Sequence, residues 1–159
     1  MIYEYVGPAD VAARTGPAGR RIASPGDFAA WAAESDLSEP FTYVVALDGT
    51  LRLAPRRSEH VACAAGAPVL AAGEITFAGG AVTEVSNQST GYCPDLTSWP
   101  DVAAALDRAG LARPGGFTYP IVFRRCPSCG EITIVKDGHY ACPFCDAGLP
   151  AEWNVTRGR

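Results

Sequence analysis

The sequence has little lysine and histidine and no long apolar run. Its 159 residues contain one lysine, Lys136, and two histidines, His60 and His139. No apolar run approaches the ~20 residues that a membrane-spanning helix requires. Residues 1–5 contain neither the basic residues nor the apolar stretch of a secretory signal. We therefore expect a cytoplasmic protein with no membrane partner.

Basic charge is too sparse to predict nucleic-acid binding. The chain has 13 basic and 17 acidic residues, a net charge of −4. Residues 1–120 carry eight basic and thirteen acidic residues, a net charge of −5, while residues 121–159 carry five and four, a net charge of +1. Phosphate binding depends on clustered cations. A weak nucleic-acid binder is therefore the least favoured reading, and it would use Arg124, Arg125, Lys136, Arg157 and Arg159.

The sequence does contain the apolar residues of a packed core. Hydrophobic residues make up 48% of the chain, which is too many for a disordered protein. Arginine in place of lysine, together with abundant alanine, glycine and proline, is typical of a GC-rich bacterial genome. We expect one ordinary domain with at most a small appendage.

Turn and capping signals predict an α+β fold, mainly antiparallel β with two helices. Helices are predicted after Ser24 and after Ser98, because a proline and an acidic residue follow each serine as in a first helical turn. Asp48-Gly49 and Gly79-Gly80 predict two hairpins, over residues 41–54 and 68–86. A short helical turn is predicted over residues 8–14, and further strands over residues 1–6, 59–64 and 117–123.

The most specific motif is a pair of Cys-x-x-Cys sequences near the C-terminus. They are Cys126-Pro127-Ser128-Cys129 and Cys142-Pro143-Phe144-Cys145, with twelve residues between the inner cysteines. Each motif lets one tight turn direct two sulfurs at one point, and a hairpin between them completes the tetrahedron that zinc accepts. An iron site of the same geometry and two disulfides are the alternatives, and the missing secretory signal disfavours disulfides.

Four thiolates fill a tetrahedral coordination sphere, so the metal has no open position for a substrate water. We therefore predict one structural Zn²⁺ held by Cys126, Cys129, Cys142 and Cys145. His139 lies in the intervening hairpin and is predicted to be an ordinary hairpin side chain.

Residues 122–153 resemble the zinc-ribbon (rubredoxin-like) family, whose CPxC knuckles match both cysteine pairs. The resemblance covers about a fifth of the chain and implies a metal-holding ribbon. It says little about function, because such ribbons bind nucleic acids, dock onto proteins or act as structural clips. Arg113-Pro114-Gly115-Gly116 is the clearest linker. We therefore predict a β-rich α+β domain over residues 1–120 and a zinc-ribbon module over residues 121–159.

A dense polar cluster follows the second predicted hairpin, at residues 86–94. Polar residues on a rigid hairpin often form binding sites. The alternative is a loop whose side chains hydrogen-bond to its own backbone. As candidate ligand-binding residues we take Asn87, Gln88, Ser89 and Tyr92.

Residues 60–94 also loosely resemble a β-hairpin segment of bacterial toxin-like proteins and of plant calmodulin-binding IQ-motif proteins. The matching positions are His60, Ala72-Gly73-Glu74, Asn87, Ser89, Tyr92 and Pro94. Gly91 stands where that pattern has histidine, and Thr90 stands where it has glycine. The resemblance therefore does not carry over any chemistry of that histidine.

Two cysteines lie outside the quartet. Cys63 is predicted to be a small buried hydrophobe in a strand, whereas Cys93 is a candidate nucleophile with His60 as its base. A zinc deaminase is disfavoured, because His60 lacks a glutamate two residues on and each proline lies inside its knuckle. The enzyme hypothesis places a site in the β domain, around His60, Glu74, Ser89, Tyr92 and Cys93.

The leading hypothesis is a zinc-stabilised, non-catalytic binding protein that recognises a protein or a small ligand. It rests on the closed metal site, the acidic body and the lack of a convincing catalytic constellation.

Overall fold

The computed structural model describes residues 1–14 and 16–156 and has an α+β fold built mainly of antiparallel sheets. This confirms the predicted fold class. The strands are β1 (Arg20–Ile22), β2 (Phe41–Val45), β3 (Leu51–Pro55), β4 (Ala71–Ala78), β5 (Ala81–Val85), β6 (Val122–Arg125) and β7 (Ile132–Val135). The helices are α1 (Ala9–Ala12), α2 (Pro25–Ala33), α3 (His60–Cys63) and α4 (Trp99–Arg108), and a 3₁₀ turn precedes α4.

The first five strands form one antiparallel sheet in the order β1-β3-β2-β4-β5. Both predicted hairpins are confirmed, as β2–β3 and β4–β5. In the first turn only Gly49 has a positive φ, +83°, and its N–H donates to the carbonyl of Ala46 at 2.9 Å. The Asp48 carboxylate accepts from the Thr50 N–H at 3.0 Å. The turn therefore has one left-handed residue, whereas the two-residue turn that Asp-Gly commonly forms in a hairpin has two.

The main core lies between one face of this sheet and the two long helices. α2 begins at the predicted cap, since the Ser24 hydroxyl accepts from the Asp27 N–H at 3.1 Å. It directs Phe28 and Trp31 onto Phe77 of the sheet, with ring centroids 5.2 and 5.6 Å away. α4 contributes Val102, Ala105 and Leu106 to the same core, and Ala109 directly after the helix joins them.

A second, smaller core covers the opposite face of the sheet. It packs Val44 and Ala72 of the sheet against Val61 and Cys63 of α3. Tyr92 joins this core and is fully buried. The loop that follows β5 is therefore part of the folded body.

Three strand predictions were wrong. Residues 59–64 contain the short helix α3 instead of a strand. The chain after it ends as helices do: Ala65 is left-handed at φ +53°, and the Gly66 N–H donates to the Val61 carbonyl at 2.8 Å. Residues 1–6 make only an isolated bridge, from Tyr3 to Val69. In residues 117–123 the strand starts only at Val122, because the proline at position 120 has no N–H for a ladder.

β6 and β7 form a separate two-stranded sheet, and the residues after the second knuckle connect it to the body. The Trp153 indole N–H donates to the Cys93 carbonyl at 2.8 Å, and its ring meets Tyr3 edge-on at 5.3 Å. The Ile121 N–H donates to the Asn87 amide oxygen at 2.7 Å. The division into domains at residue 120 stays a prediction.

Candidate metal centre and adjoining groove

The four predicted ligand cysteines come together at the end of the β6–β7 hairpin. Their sulfur atoms all lie within 4.8 Å of one another. The Cys126 and Cys145 sulfurs are 3.5 Å apart, and those of Cys129 and Cys142 are 3.7 Å apart. A tetrahedral ion with metal–sulfur bonds of about 2.3 Å requires sulfurs roughly 3.8 Å apart. All six cysteines are free thiols, so the disulfide alternative was wrong.

The first knuckle is a tight turn closed by backbone hydrogen bonds. The Gly130 N–H donates to the Cys126 carbonyl at 2.9 Å, and the Cys126 N–H donates to the Glu131 carbonyl at 2.8 Å. Gly130 adopts φ +80°, a left-handed conformation that glycine takes without steric cost.

The second knuckle repeats these bonds at the matching positions. The Asp146 N–H donates to the Cys142 carbonyl, and the Cys142 N–H donates to the Ala147 carbonyl, both at 2.8 Å. Asp146 stands where the first knuckle has glycine and is also left-handed, at φ +65°. Aspartate is one of the few other residues that tolerate this conformation. The two halves of the site are therefore equivalent in backbone shape.

Backbone amides favour the thiolate form of Cys126, whereas burial and hydrogen bonds with the neighbouring thiols raise the pKa of Cys129. Hydrogen bonds from the backbone of Cys129, and then of Ser128, lower the pKa of Cys126 to about 6. In the second knuckle the Phe144 N–H donates to the Cys142 sulfur at 3.4 Å. Metal ligands must be deprotonated, so the sulfur distances and these donors together fit a single soft, tetrahedral ion.

Burial divides the quartet into an inner and an outer pair. Cys126 and Cys142, the first residue of each knuckle, are buried, whereas Cys129 and Cys145 are exposed. His139 is exposed and does not belong to the cluster. A metal held here lies at the surface, with one side against the ribbon.

The loop predicted to bind a ligand is mostly buried and bonded to its own chain. The Asn87 amide nitrogen donates to the carbonyls of Pro94 and Ile121 at 2.9 and 2.7 Å, and the residue has no exposed surface. The Ser89 hydroxyl accepts from the Tyr92 N–H at 3.2 Å. These contacts fix the loop against the start of the ribbon.

Two further residues of that prediction have different surroundings. The Tyr92 hydroxyl donates to the Ala67 carbonyl at 2.8 Å, so it too serves the fold. Gln88 is exposed and lines a small cleft of about 240 Å³ together with Glu74 and Glu84. A ligand site at residues 87–92 stays a prediction, and Gln88 is the one member of its four residues that is open to solvent.

The residues of the enzyme hypothesis do not form a nucleophile and base. Burial raises the pKa of the Cys93 thiol to about 12, the opposite of what a nucleophilic cysteine needs. Its sulfur donates to the Thr90 carbonyl at 3.5 Å. The His60 Nε2 donates to the Gly73 carbonyl at 2.8 Å, and burial lowers its pKa. Among the described residues, no hydrogen bond joins the side chains of His60, Glu74, Ser89 and Cys93.

The other extra cysteine, Cys63, is fully buried. Burial raises the pKa of its thiol to about 12. It behaves as the small hydrophobe predicted from the sequence, although in a helix and not in a strand.

Two of the basic residues near the ribbon serve the fold. Arg124 is 6% exposed, and its guanidinium donates to the carbonyls of Pro150 and Ala151 at 2.9 and 2.6 Å. The Arg125 guanidinium donates to the Gly130 carbonyl at 3.0 Å. Arg157 and Arg159 lie outside the described residues. Nucleic-acid binding at this edge stays a prediction.

A groove that was not predicted from the sequence lies beside the four cysteines. It has a volume of about 840 Å³, within the range of ligand-binding clefts. Three parts of the chain line it: the loop after β5 with Thr90 and Cys93, the β6–β7 hairpin with Phe123 and residues 132–134, and the second knuckle with the exposed Phe144. The sequence signals were weak: an exposed aromatic between two knuckle cysteines, and isoleucines at alternate positions of β7.

The fold is α+β, and four cysteines near the C-terminus lie close enough together to hold one metal ion. The chain matches no protein-family model, no curated protein and no solved structure. Within the described residues, no helix has the length and apolarity needed to cross a membrane.

Proposed function

We propose that this protein is a zinc-stabilised, non-catalytic binding protein whose C-terminal segment is a zinc ribbon. The observation that carries the proposal is the quartet of thiols held by two equivalent knuckles, with the groove directly beside it. Zinc is the proposed ion because four thiolates in a tetrahedron are its usual structural ligand set and it undergoes no redox change.

The zinc ion has a structural role in this proposal. Its four ligands leave no position for water or substrate, so the metal supplies folding energy and no chemistry. It holds the second knuckle, and therefore Pro143 and Phe144, as one wall of the groove. The metal shapes the binding surface without touching the ligand.

The groove is the proposed recognition surface. Its walls are mainly apolar, and a few polar groups, among them Thr90 and Lys136, lie along it. Such a mixture is typical of sites that bind a protein segment or a small molecule. Recognition thereby moves away from the buried Asn87, Ser89 and Tyr92. It uses instead Thr90 of the same loop and the adjacent Cys93, which line the groove.

A fragment screen by NMR tests this proposal directly. We expect hits from a small-molecule fragment library to shift the methyl signals of Ile132 and Ile134 in the zinc-loaded protein. Phe144→Ser should weaken those hits. Tyr119→Ser is the matched control, since Tyr119 is 67% exposed and Phe144 is 69% exposed but Tyr119 lies outside the groove. A screen whose hits avoid the groove, or ignore Phe144→Ser, would contradict the proposal.

A further inference from the structure

The groove borders an unpaired strand edge, the outer edge of β7. The Cys126 N–H donates to the Glu131 carbonyl, and hydrogen-bonded pairs alternate along an antiparallel ladder. Given the register of β6 and β7, the backbone groups of Thr133 and Val135 face β6. Those of Ile132 and Ile134 face away from it.

The hydrogen bonds of β6 show the same alternation of inward and outward backbone groups. Arg125 is the register partner of Ile132, and its own N–H and carbonyl turn outward. Both bond to the side chain of Asn154, at 2.8 Å each. The outer edge of β6 is thus covered, whereas no backbone or side-chain partner covers the outer edge of β7 among the described residues.

The edge is open because the returning chain leaves the sheet. Lys136 and His139 form a single bridge around a turn with Asp137 and Gly138 left-handed, at φ +52° and +69°. After that bridge the chain builds the second knuckle and pairs elsewhere, through Ala141 with residue 148. A longer hairpin would have closed the edge that is now free.

The groove follows this edge. Ile132, Thr133 and Ile134 all line it, although successive side chains of a strand point to opposite faces. The groove is also lined by Phe123 of β6, on one side of β7, and by His139, which bridges Lys136 on the outer side. It therefore extends across the outer edge of β7, where the free N–H and carbonyl groups are. Unpaired edges of this kind accept an extended chain as an additional strand.

The two ends of the groove differ in charge. Lys136 follows the last residue of β7 and makes no ion pair within the described residues. Asp146 and the thiolate quartet lie at the other end, where Cys126 pairs with the residue before β7. Four thiolates around Zn²⁺ carry a net charge of −2. An acidic group of a partner is therefore favoured at the Lys136 end.

We propose that the outer edge of β7 binds an extended, acidic peptide segment of a partner protein by strand addition. This inference rests on the proposed function and specifies the partner. The peptide backbone pairs with Ile132 and Ile134, its alternate apolar side chains contact Cys93 and Phe144, and its acidic side chain lies near Lys136. A small apolar molecule would leave the four free backbone groups unpaired, which makes a peptide the better match.

The test begins with a random-peptide display library selected against the zinc-loaded, full-length protein. The selected peptides are then synthesised for affinity measurements by fluorescence anisotropy. We expect alternating apolar residues with an acidic residue at one end. Ile134→Pro removes an outward N–H and should weaken binding on the order of tenfold. Ile134→Val keeps that N–H and should bind within about threefold of the wild type, and Lys136→Gln should weaken binding in low salt only.

A second measurement uses wild-type protein and so does not depend on how Ile134→Pro folds. Peptides N-methylated at alternate residues should fall into two sets: one set loses binding because its methyl groups face β7, and the other keeps it. Equal binding by both sets, or no enriched peptide, would overturn strand addition. So would a dimer of this chain that Ile134→Pro dissociates, because a second copy would then occupy the edge. If fragments still bind the groove in those cases, the proposed function stands and only the peptide inference fails.

Discussion

The sheet body and the ribbon differ in what holds them together. The main core of the body is built from aromatic and aliphatic side chains contributed by five strands and two helices. The buried cluster of the ribbon contains only Cys126, Val135, Cys142 and Leu149. Two of its four buried members are therefore ligands of the proposed metal.

This difference implies two kinds of stability. The body buries enough apolar surface to fold through the hydrophobic effect alone. The ribbon buries far less: without an ion, the centre of its own cluster is two thiols, a valine and a leucine. Its buried Phe123 packs instead in a small cluster with Cys93 and Val155. We expect the ribbon to depend on metal and the body to tolerate its loss.

Metal loss should produce the largest effect. Structural zinc sites contribute about 10–16 kcal/mol of apparent binding energy to folding, so Cys142→Ser should lower the metal content below one ion per chain and unfold residues 122–153. Mass spectrometry of the metal and hydrogen exchange of the ribbon measure both results. Cys63→Ser is the control: Cys63 is also buried but lies outside the quartet, so the metal should be retained. Full metal content in Cys142→Ser would contradict the assignment of Cys142 as a metal ligand.

A cavity in the body should lower the free energy of unfolding strongly without releasing the metal. Leu106 is fully buried in the main core, so Leu106→Ala should lower the free energy of unfolding by about 2–5 kcal/mol and leave one metal per chain. Denaturant titration followed by circular dichroism measures the change. Leu47 is 49% exposed, and Leu47→Ala should cost less than about 0.5 kcal/mol. Loss of metal from Leu106→Ala would show that the two regions fold as one unit.

The smallest predicted effects concern the two left-handed knuckle residues. Gly130→Ala places a side chain at φ +80°, which costs about 1–2 kcal/mol and should weaken metal binding. Asp146→Gly at φ +65° removes a milder strain and should change binding by less than about 0.5 kcal/mol, because glycine also loosens the unfolded chain. Competition with a chromogenic zinc chelator measures both. Equal losses in the two variants would show that the knuckles are not equivalent.

The parts of this structure that local chemistry controls could be predicted from the sequence. Asp48-Gly49 marks a turn, and the serine-proline signals at Ser24 and Ser98 mark helix starts within a few residues. Only Ser24 caps its helix, because the Ser98 hydroxyl donates to the Asp95 carbonyl instead. The cysteine spacing brings four sulfurs together. Residues 59–64 were wrongly taken as a strand because their alternating pattern is too short to separate a strand from one helical turn. The left-handed Ala65 and the following Gly66 end the helical turn there.

The rest depends on contacts between distant residues. Asn87 is buried because Ile121, 34 positions later, supplies partners for both ends of its amide, and no pattern around Asn87 encodes that pairing. The groove exists because the chain turns away from β7 after the bridge at His139 and forms the second knuckle. The sequence locates the four cysteines, whereas only the folded chain reveals the open strand edge beside them.

X-ray absorption spectroscopy of the purified protein at the zinc edge tests the central claim most directly. We predict one zinc per chain with four sulfur ligands at about 2.3 Å and no nitrogen or oxygen ligand. An ion with fewer than four sulfur ligands, or a protein that carries iron or no metal, would contradict a closed zinc site and the contrast between ribbon and body built on it.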